Sequence, residues 1–153
     1  MQMHALSGSH GLIKNALRQD AASGAVLRIV QRMRLEPTQL DGVNKKMLND
    51  DEFSVLLALP CGRDHVDLHQ QIKNLRSGLI NYLSSKQAAG IINVAAPGCD
   101  PVRIKESTTM QAAYVVHIFP PCEFSQNNLR QIAPDLLQSL GDMAHMLIVI
   151  ATV

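Results

Sequence analysis

The chain has 153 residues, of which 46% are hydrophobic, so it is long enough for one domain with a continuous core. Its 14 lysines and arginines against 13 acidic residues leave a net charge of +1, which excludes a strong overall field for nucleic acid or anionic membranes. Aromatic residues make up 3% and tryptophan is absent, so a base-stacking platform for RNA is poorly supported. Any recognition of an anion must therefore be local.

Three cysteines, Cys61, Cys99 and Cys122, form an odd and widely spaced set without a CxxC pair. This pattern predicts reduced thiols of the cytosol or nucleus rather than a disulfide framework or a structural zinc site. No apolar stretch typical of a signal peptide follows Met1, and no apolar run approaches the roughly 18 residues that span a bilayer. We therefore expect no membrane partner.

The first half of the chain predicts strands separated by turns and one helix. Residues 1–6 are typical of a short strand, and residues 7–11, SGSHG, predict a turn. Residues 27–35, LRIVQRMRL, predict a strand with two unlike faces, because a strand alternates its side chains with a period of two. One face carries Leu27, Ile29, Gln31, Met33 and Leu35, and the other carries Arg28, Val30, Arg32 and Arg34.

The arginine face of this strand has two interpretations. Guanidinium groups at fixed spacing match carboxylate or phosphate oxygens bidentately, which favours an anion-binding surface. Surface charge is also the ordinary state of the outward side of a half-buried strand. On this segment alone the solvated face is the simpler interpretation, and both stay open.

Glu36, Pro37 and Thr38 end this strand and begin a helix, with Thr38 as the predicted N-cap and Asp41 three residues later as in a capping box. The buried face of that helix is predicted at Leu40, Val43 and Met47. Residues 53–59 predict a buried strand that Pro60 ends.

Residues 64–89 carry the strongest helical pattern, with Gly90 as the predicted stop. Leucine or isoleucine recurs there every three or four residues, at Leu68, Ile72, Leu75, Leu79 and Leu83. Residues 91–95 then predict a strand, and residues 97–110 predict an exposed loop.

The last part of the chain predicts a strand, a helical region and a final strand. Residues 112–119 are typical of a strand, and Ser125 is the predicted cap of a helix through about Leu140, which Pro134 must kink or split. The buried stripe of this helix is predicted at Leu129, Ile132, Leu136, Leu137 and Leu140. Residues 146–153 predict the last strand.

Two patterns near the long helix offer chemistry. His65 and His69 are spaced to reach one metal ion, but no third ligand and no HExxH glutamate accompanies them, so we interpret them as a solvent-facing helix start. Cys61 lies near His65 as a candidate Cys-His nucleophile of a hydrolase, but without an orienting residue or an oxyanion loop, and we interpret it as a packed core or near-core thiol. We predict no enzyme, no metal and no cofactor.

Tyr82 and Lys86 lie four residues apart on the long helix and offer two donors on one ridge. If this helix packs beside the arginine strand, Arg32, Arg34, Tyr82 and Lys86 converge on one anion. Periodicity leaves that adjacency open.

Six strings of the chain, in order, resemble the SPOC domain of the split ends family of transcriptional corepressors. They are LRIVQRMRLEPTQLDGV, LLALPCGRDH, YLSSKQAAGIINV, AYVVHIFPPCEF, APDLL and LIVIATV. The resemblance covers residues 1–153 and implies an α+β fold, a distorted β-barrel of about seven strands with surrounding helices. It also implies a single domain at the C-terminus of a larger nuclear protein, whose other domains are the main contact for RNA.

The family resemblance implies a monomeric docking module that captures acidic, serine-phosphorylated tails of corepressors of the SMRT and NCoR type, or the phosphorylated polymerase tail. The family's basic patch falls on Arg32, Arg34, Tyr82 and Lys86. A single-stranded RNA-binding role for the same basic face is the alternative function.

The chain departs from the family pattern at two places. The family domain begins with an additional strand that has a WQG-like start and a patch lysine, so we expect this chain to be truncated at its N-terminus, with a strand edge left unpaired. Residues 99–110 are predicted to be an insertion within a loop.

Overall fold

The computed structural model describes residues 2–9, 11–13, 29, 31–49, 51–95, 112–141 and 143–152. The strands are β1 (Gln2–Gly8), β2 (Gln31–Arg34), β3 (Phe53–Leu59), β4 (Ala88–Ala95), β5 (Ala112–Phe119) and β6 (Met146–Thr152). The helices are α1 (Pro37–Lys46), α2 (His65–Leu75), α3 (Asn81–Ser85), α4 (Glu123–Ile132) and α5 (Pro134–Leu140). A π-helical turn, Arg76–Ile80, joins α2 to α3.

The six strands form one antiparallel sheet in the order β1-β3-β6-β5-β4-β2. Within the described residues β1 and β2 are the two edges, and the sheet is not closed between them. Six strands with helices packed on them confirm the predicted α+β class, and the open sheet is consistent with a distorted barrel of the SPOC type.

The sheet is buried on both faces, so β3 and β6 are apolar at nearly every position. Along β6, Met146, Ile148 and Ile150 pack in one core cluster, whereas Leu147 and Val149 pack in the other. The first cluster contains residues of α2, the π turn and α3, and the second contains residues of α1, α4 and α5. Helices therefore cover opposite faces of one sheet, as the alternation of side chains along a strand requires.

The predicted long helix ends earlier than its sequence pattern indicated. Its start is close to the prediction, since the Asp64 carboxylate accepts a hydrogen bond from the Asp67 N–H at 2.8 Å. Its end is at Ser85, and residues 88–90 belong to β4 instead of the helix. Strand pairing with β2 and burial of Ala88 and Ala89 override the good helix propensity of alanine.

Two predicted helix caps were wrong. The N-cap of α1 is Glu36 and Pro37 is its first residue, because proline has no N–H to leave unsatisfied and its φ suits that position. Asp41 instead pairs with Lys45 at 3.7 Å. Ser125 lies inside α4, where its hydroxyl accepts a hydrogen bond from the Cys122 N–H at 2.8 Å.

Other helix features were confirmed. Pro134 begins α5 and separates it from α4, as predicted for a proline within a helical pattern. Val43 is buried on α1, with Leu40 and Met47 half-buried beside it. The apolar stripe of α4 and α5 packs in the second core cluster, through Leu129, Ile132, Leu136, Leu137 and Leu140.

The arginine strand is shorter than predicted. Only residues 31–34 form β2, and residues 27, 28 and 30 lie outside the described residues. Ile29 packs against the first core cluster, whereas Met33 and Leu35 pack against the second, so the predicted common face of these three residues was wrong. In the described part of this segment, the residues that pair with β4 are Gln31–Arg34.

Residues 7 and 8 of the predicted SGSHG turn belong to β1, which pairs with β3 up to Gly8. The predicted loop 97–110 and the predicted insertion 99–110 lie outside the described residues.

Candidate functional site

The pairing of β2 with β4 decides which face of the sheet the side chains of Arg32 and Arg34 lie on. In the antiparallel register Arg32 is opposite Gly90 and Arg34 is opposite Ala88, so each pair shares one face of the sheet. Gly90 is in turn opposite Ile118, which belongs to the first core cluster. Both arginines therefore project toward the side of the sheet that α2 and α3 cover, and both are exposed.

Arg32 and Tyr82 are brought together by this arrangement. The guanidinium carbon of Arg32 lies 5.5 Å from the centroid of the Tyr82 ring, within the range of a cation–π interaction. Tyr82 is 46% exposed, whereas the neighbouring Leu83 is fully buried and anchors α3 on the sheet. The Tyr82 ring is therefore carried by an anchored helix and remains partly exposed to solvent.

Arg34 has a partner that the sequence analysis missed. Its Nη1 lies 3.5 Å from Oε1 of Glu36, two residues further along the chain. The side chains are 81% and 54% exposed, so this ion pair is weak and screened by salt. A ligand anion would compete with Glu36 for this guanidinium. The two residues are close in sequence, but Glu36 lies beyond the end of β2 as the N-cap of α1, so the alternation along the strand did not indicate this pair.

Lys86 lies at the corner where α3 turns into β4. Its backbone N–H donates to the Tyr82 carbonyl at 3.2 Å, and its side chain is exposed. Gln87 takes a φ of 48°, which reverses the chain, and its carbonyl accepts the Leu35 N–H at 2.9 Å. That hydrogen bond fastens the end of β2 to the turn that carries Lys86.

We call these four residues the arginine patch: Arg32, Arg34, Tyr82 and Lys86. The structure joins two of them directly, through the guanidinium and the ring, and it places the other two at the same corner of the sheet through β2–β4 pairing. The patch offers two guanidinium groups, an ammonium and a phenol, all of them donors. Its chemistry is suited to holding an anion, since guanidinium and ammonium have no acceptor and a phenol binds oxygens as a donor.

The other candidate residues, Cys61, His65 and His69, are exposed in the described part of the chain. His65 and His69 are both exposed on α2, as predicted. Among the described residues no group of three or more His, Cys, Asp or Glu side chains is arranged to hold a metal ion. Cys61 is exposed, so its predicted burial in or near the core was wrong: the chain leaves the sheet at Pro60, one residue before it.

Among the helices that the structure describes, none is long and apolar enough to cross a membrane. The helices are at most 11 residues long, and each has an exposed polar face.

Comparison with known proteins identifies the family. The family model of the SPOC domain matches residues 1–153. Protein split ends of Drosophila melanogaster is 50% identical over 154 residues, which cover 100% of this chain and 3% of that protein. Msx2-interacting protein of Homo sapiens is 47% identical over 154 residues, which cover 100% of this chain and 4% of that protein.

A more distant relative is RNA-binding protein 15 of Homo sapiens, which is 34% identical over 159 residues. That alignment covers 96% of this chain and 16% of the relative. The chain thus corresponds to a small part of each of these proteins. A family model that matches the whole chain, together with a six-stranded sheet and helices of the expected kind, settles the assignment. The chain belongs to the SPOC domain family.

Proposed function

We propose that this domain binds a short acidic peptide that contains phosphoserine, and that the arginine patch is the binding site. A phosphoserine brings a charge of about −1.5 to −2 and three acceptor oxygens. The observation that carries the proposal is the Arg32 guanidinium held 5.5 Å from the Tyr82 ring centroid, with Arg34 on the same strand face. Such a guanidinium loses little freedom when it binds an anion.

Membership of the SPOC family supports a protein-interaction module of a transcriptional regulator, and it points to a non-catalytic domain. We infer that the partners are corepressor tails of the SMRT and NCoR type, or the phosphorylated polymerase tail, and that the protein acts in the nucleus. Arg32 and Arg34 clamp the phosphate, and Lys86 and the Tyr82 hydroxyl add donors at its edge.

The test is a titration of the chain with three peptides of one sequence, in which a central serine is unmodified, phosphorylated or replaced by alanine. We expect the phosphorylated peptide to bind most tightly. Arg34→Glu removes a charge-assisted hydrogen bond and adds repulsion, so we expect it to weaken this binding by roughly 10- to 100-fold. Equal binding of the phosphorylated and unmodified peptides would contradict the proposal.

Lys45→Glu is the matched control. Lys45 is an exposed residue of α1, which packs against the opposite face of the sheet, and the charge change is the same as in Arg34→Glu. Its ion pair with Asp41 is exposed and contributes little to stability. The proposal requires affinity for the phosphorylated peptide to be unchanged in Lys45→Glu.

RNA binding by the same face is the outcome that would replace this proposal. Its signature is tight binding of an arbitrary single-stranded RNA, with a steep loss of affinity as salt rises. We expect only weak binding of such RNA, because Tyr82 is the one aromatic side chain in the arginine patch.

A further inference from the structure

A second positively charged surface lies on α2 and the π turn. It is a groove of about 500 Å³, which we call the α2 groove. Its described lining residues are His69, Ile72, Lys73, Arg76, Ser77 and Asn81. The arginine patch contributes no residue to this lining.

The α2 groove lies on one flank of α2, and a different hollow lies on the other flank. Successive residues of an α-helix are about 100° apart, so Lys73 and Arg76 lie on one side of the buried row that contains Leu75. Gln71 and Asn74 lie on the other side and line a hollow with Pro60 and Cys61. The basic side chains are thus gathered on a single flank.

The charged residues in this part of the chain are all basic. Residues 68–99 include Lys73, Arg76 and Lys86 but no aspartate or glutamate. The two carboxylates at the start of α2 are both used locally: Asp64 accepts the Asp67 N–H, and Asp67 accepts the Arg63 N–H at 2.9 Å. The described lining of the α2 groove therefore includes Lys73 and Arg76 and no carboxylate.

The lining residues differ in what they can offer a ligand. Arg76 already takes part in an interaction within the chain, so we assign it no contact with a ligand. The Ser77 hydroxyl donates to the Lys73 carbonyl at 2.8 Å, so its hydrogen is in use. The exposed donors for a ligand are the Lys73 ammonium and the Asn81 amide, with His69 beside them and Ile72 as an apolar wall.

We propose that the α2 groove docks an acidic segment of a protein partner, separately from the arginine patch. Carboxylate side chains are the occupants that fit a concave surface with an ammonium, an imidazole and an amide as donors. The described lining contains no aromatic side chain on which a nucleic-acid base could stack. A glutamate-rich segment also places methylene groups against the wall formed by Ile72.

The test uses the whole chain and a labelled peptide of alternating glutamate and serine, without phosphate, at about 0.1 M salt, where the Debye length is about 10 Å. We expect the peptide to shift the backbone amide resonances of residues 69–81. We also expect Lys73→Glu to weaken binding about 3- to 10-fold, a size typical of one partly exposed charge contact, and Lys73→Arg to restore it. No shift in residues 69–81, or affinity unchanged in Lys73→Glu, would overturn the proposal.

Two further variants separate the α2 groove from the arginine patch. Arg34→Glu should leave the amide shifts of residues 69–81 in place, because Arg34 does not line the groove. Arg130→Glu is the charge-matched control, since Arg130 is exposed on α4 and α4 packs on the opposite face of the sheet. If Arg34→Glu abolishes those shifts, the α2 groove is not a separate binding site. If Arg130→Glu weakens peptide binding as much as Lys73→Glu does, the peptide is attracted only by the net charge of the protein. Tighter binding of a single-stranded RNA that displaces the peptide would also overturn the assignment.

Discussion

The guanidinium carbon of Arg32 lies 5.5 Å from the centroid of the Tyr82 ring, and this contact joins an edge strand to a helix that are far apart in the chain. It orders one cation of the arginine patch before any ligand arrives. Tyr82 is 46% exposed and carries a hydroxyl as well as the ring face, so we expect it to have two separable roles in binding. Those roles can be tested by two substitutions at one position.

Tyr82→Phe keeps the ring face that Arg32 contacts and removes only the hydroxyl, whereas Tyr82→Ala removes both. A cation–π contact at an exposed site contributes about 0.5–1 kcal/mol. We therefore expect Tyr82→Ala to weaken phosphopeptide binding about 2- to 5-fold more than Tyr82→Phe. Titration calorimetry with the phosphorylated peptide measures the difference. Equal affinities of the two variants would show that the ring does not position Arg32.

Replacing Glu36 should strengthen ligand binding. Its Oε1 lies 3.5 Å from the Arg34 guanidinium and competes with a ligand anion for it. Because exposed ion pairs contribute about 0.2–1 kcal/mol, Glu36→Gln should raise phosphopeptide affinity about 1.5- to 5-fold. The gain should shrink as salt is added, since both interactions are screened.

Asp41→Asn is the control for this effect, because Asp41 pairs with Lys45 at 3.7 Å on α1 rather than with a residue of the arginine patch. Its affinity for the phosphorylated peptide should equal that of the unchanged chain. A gain of the same size in both variants would mean that only the net charge matters.

The packing of Gly90 against Ile29 should be sensitive to a single methyl group. A Cβ at Gly90 would lie 2.6 Å from Cδ1 of Ile29, which is closer than atoms can approach. We expect Gly90→Ala to lower the free energy of unfolding by about 1–3 kcal/mol, as measured by urea denaturation. The loss includes the pairing of β2, because Gly90 is opposite Arg32.

The matching test repeats Gly90→Ala in an Ile29→Ala background, where the obstructing side chain is gone. In that background, Gly90→Ala should leave the free energy of unfolding unchanged or raise it by about 0.4–1 kcal/mol, because alanine restricts the unfolded chain more than glycine does. If the loss of stability is the same in both backgrounds, contact with Ile29 is not its cause.

His117 should make the stability of the domain depend on pH. Burial lowers the pKa of His117 below its ordinary value of 6.5, although the hydrogen bond between its Nδ1 and the Val149 carbonyl, at 3.2 Å, acts in the opposite direction. Below about pH 6.5 the unfolded chain binds a proton at this imidazole before the folded chain does. Stability contributed by the neutral ring is therefore present above that pH and is lost as the pH falls.

The measurement compares urea denaturation at about pH 7.5 and pH 5.5 in the unchanged chain and in His117→Gln, which keeps a donor for the Val149 carbonyl and does not titrate. The unchanged chain should lose more stability on acidification, by up to about 1.4 kcal/mol per pH unit. Parallel pH profiles of the two proteins would show that His117 stays neutral or is charged equally in both states.

The strands in the middle of the sheet were predictable because burial leaves a local trace in the sequence. Residues 53–59 and 112–119 were predicted with the observed bounds, since a strand covered on both faces is apolar almost throughout and is followed by a breaker such as Pro60. The split at Pro134 was predictable for an equally local reason, because proline cannot continue a helix that precedes it.

The ends of the helices and strands were less predictable, because residues distant in sequence decide where they lie. Ala88 and Ala89 favour a helix locally, yet they pair with Arg34 and Met33 across the sheet and become a strand. The π turn, Arg76–Ile80, interrupts the long helix without any change in its apolar spacing that would have revealed it.

The sequence by itself determined the residue types of the arginine patch, the four-residue spacing of Tyr82 and Lys86, and the family to which the chain belongs. Only the tertiary structure decided that Arg32 lies over Tyr82, that Arg34 is paired with Glu36 and that Lys73 lines a separate groove. The physical reason is that periodicity reports which side of an element is buried, whereas these contacts depend on the pairing of β2 with β4 and on the rotation of α2 about its axis. Both are set by long-range packing, which no local pattern of residues contains.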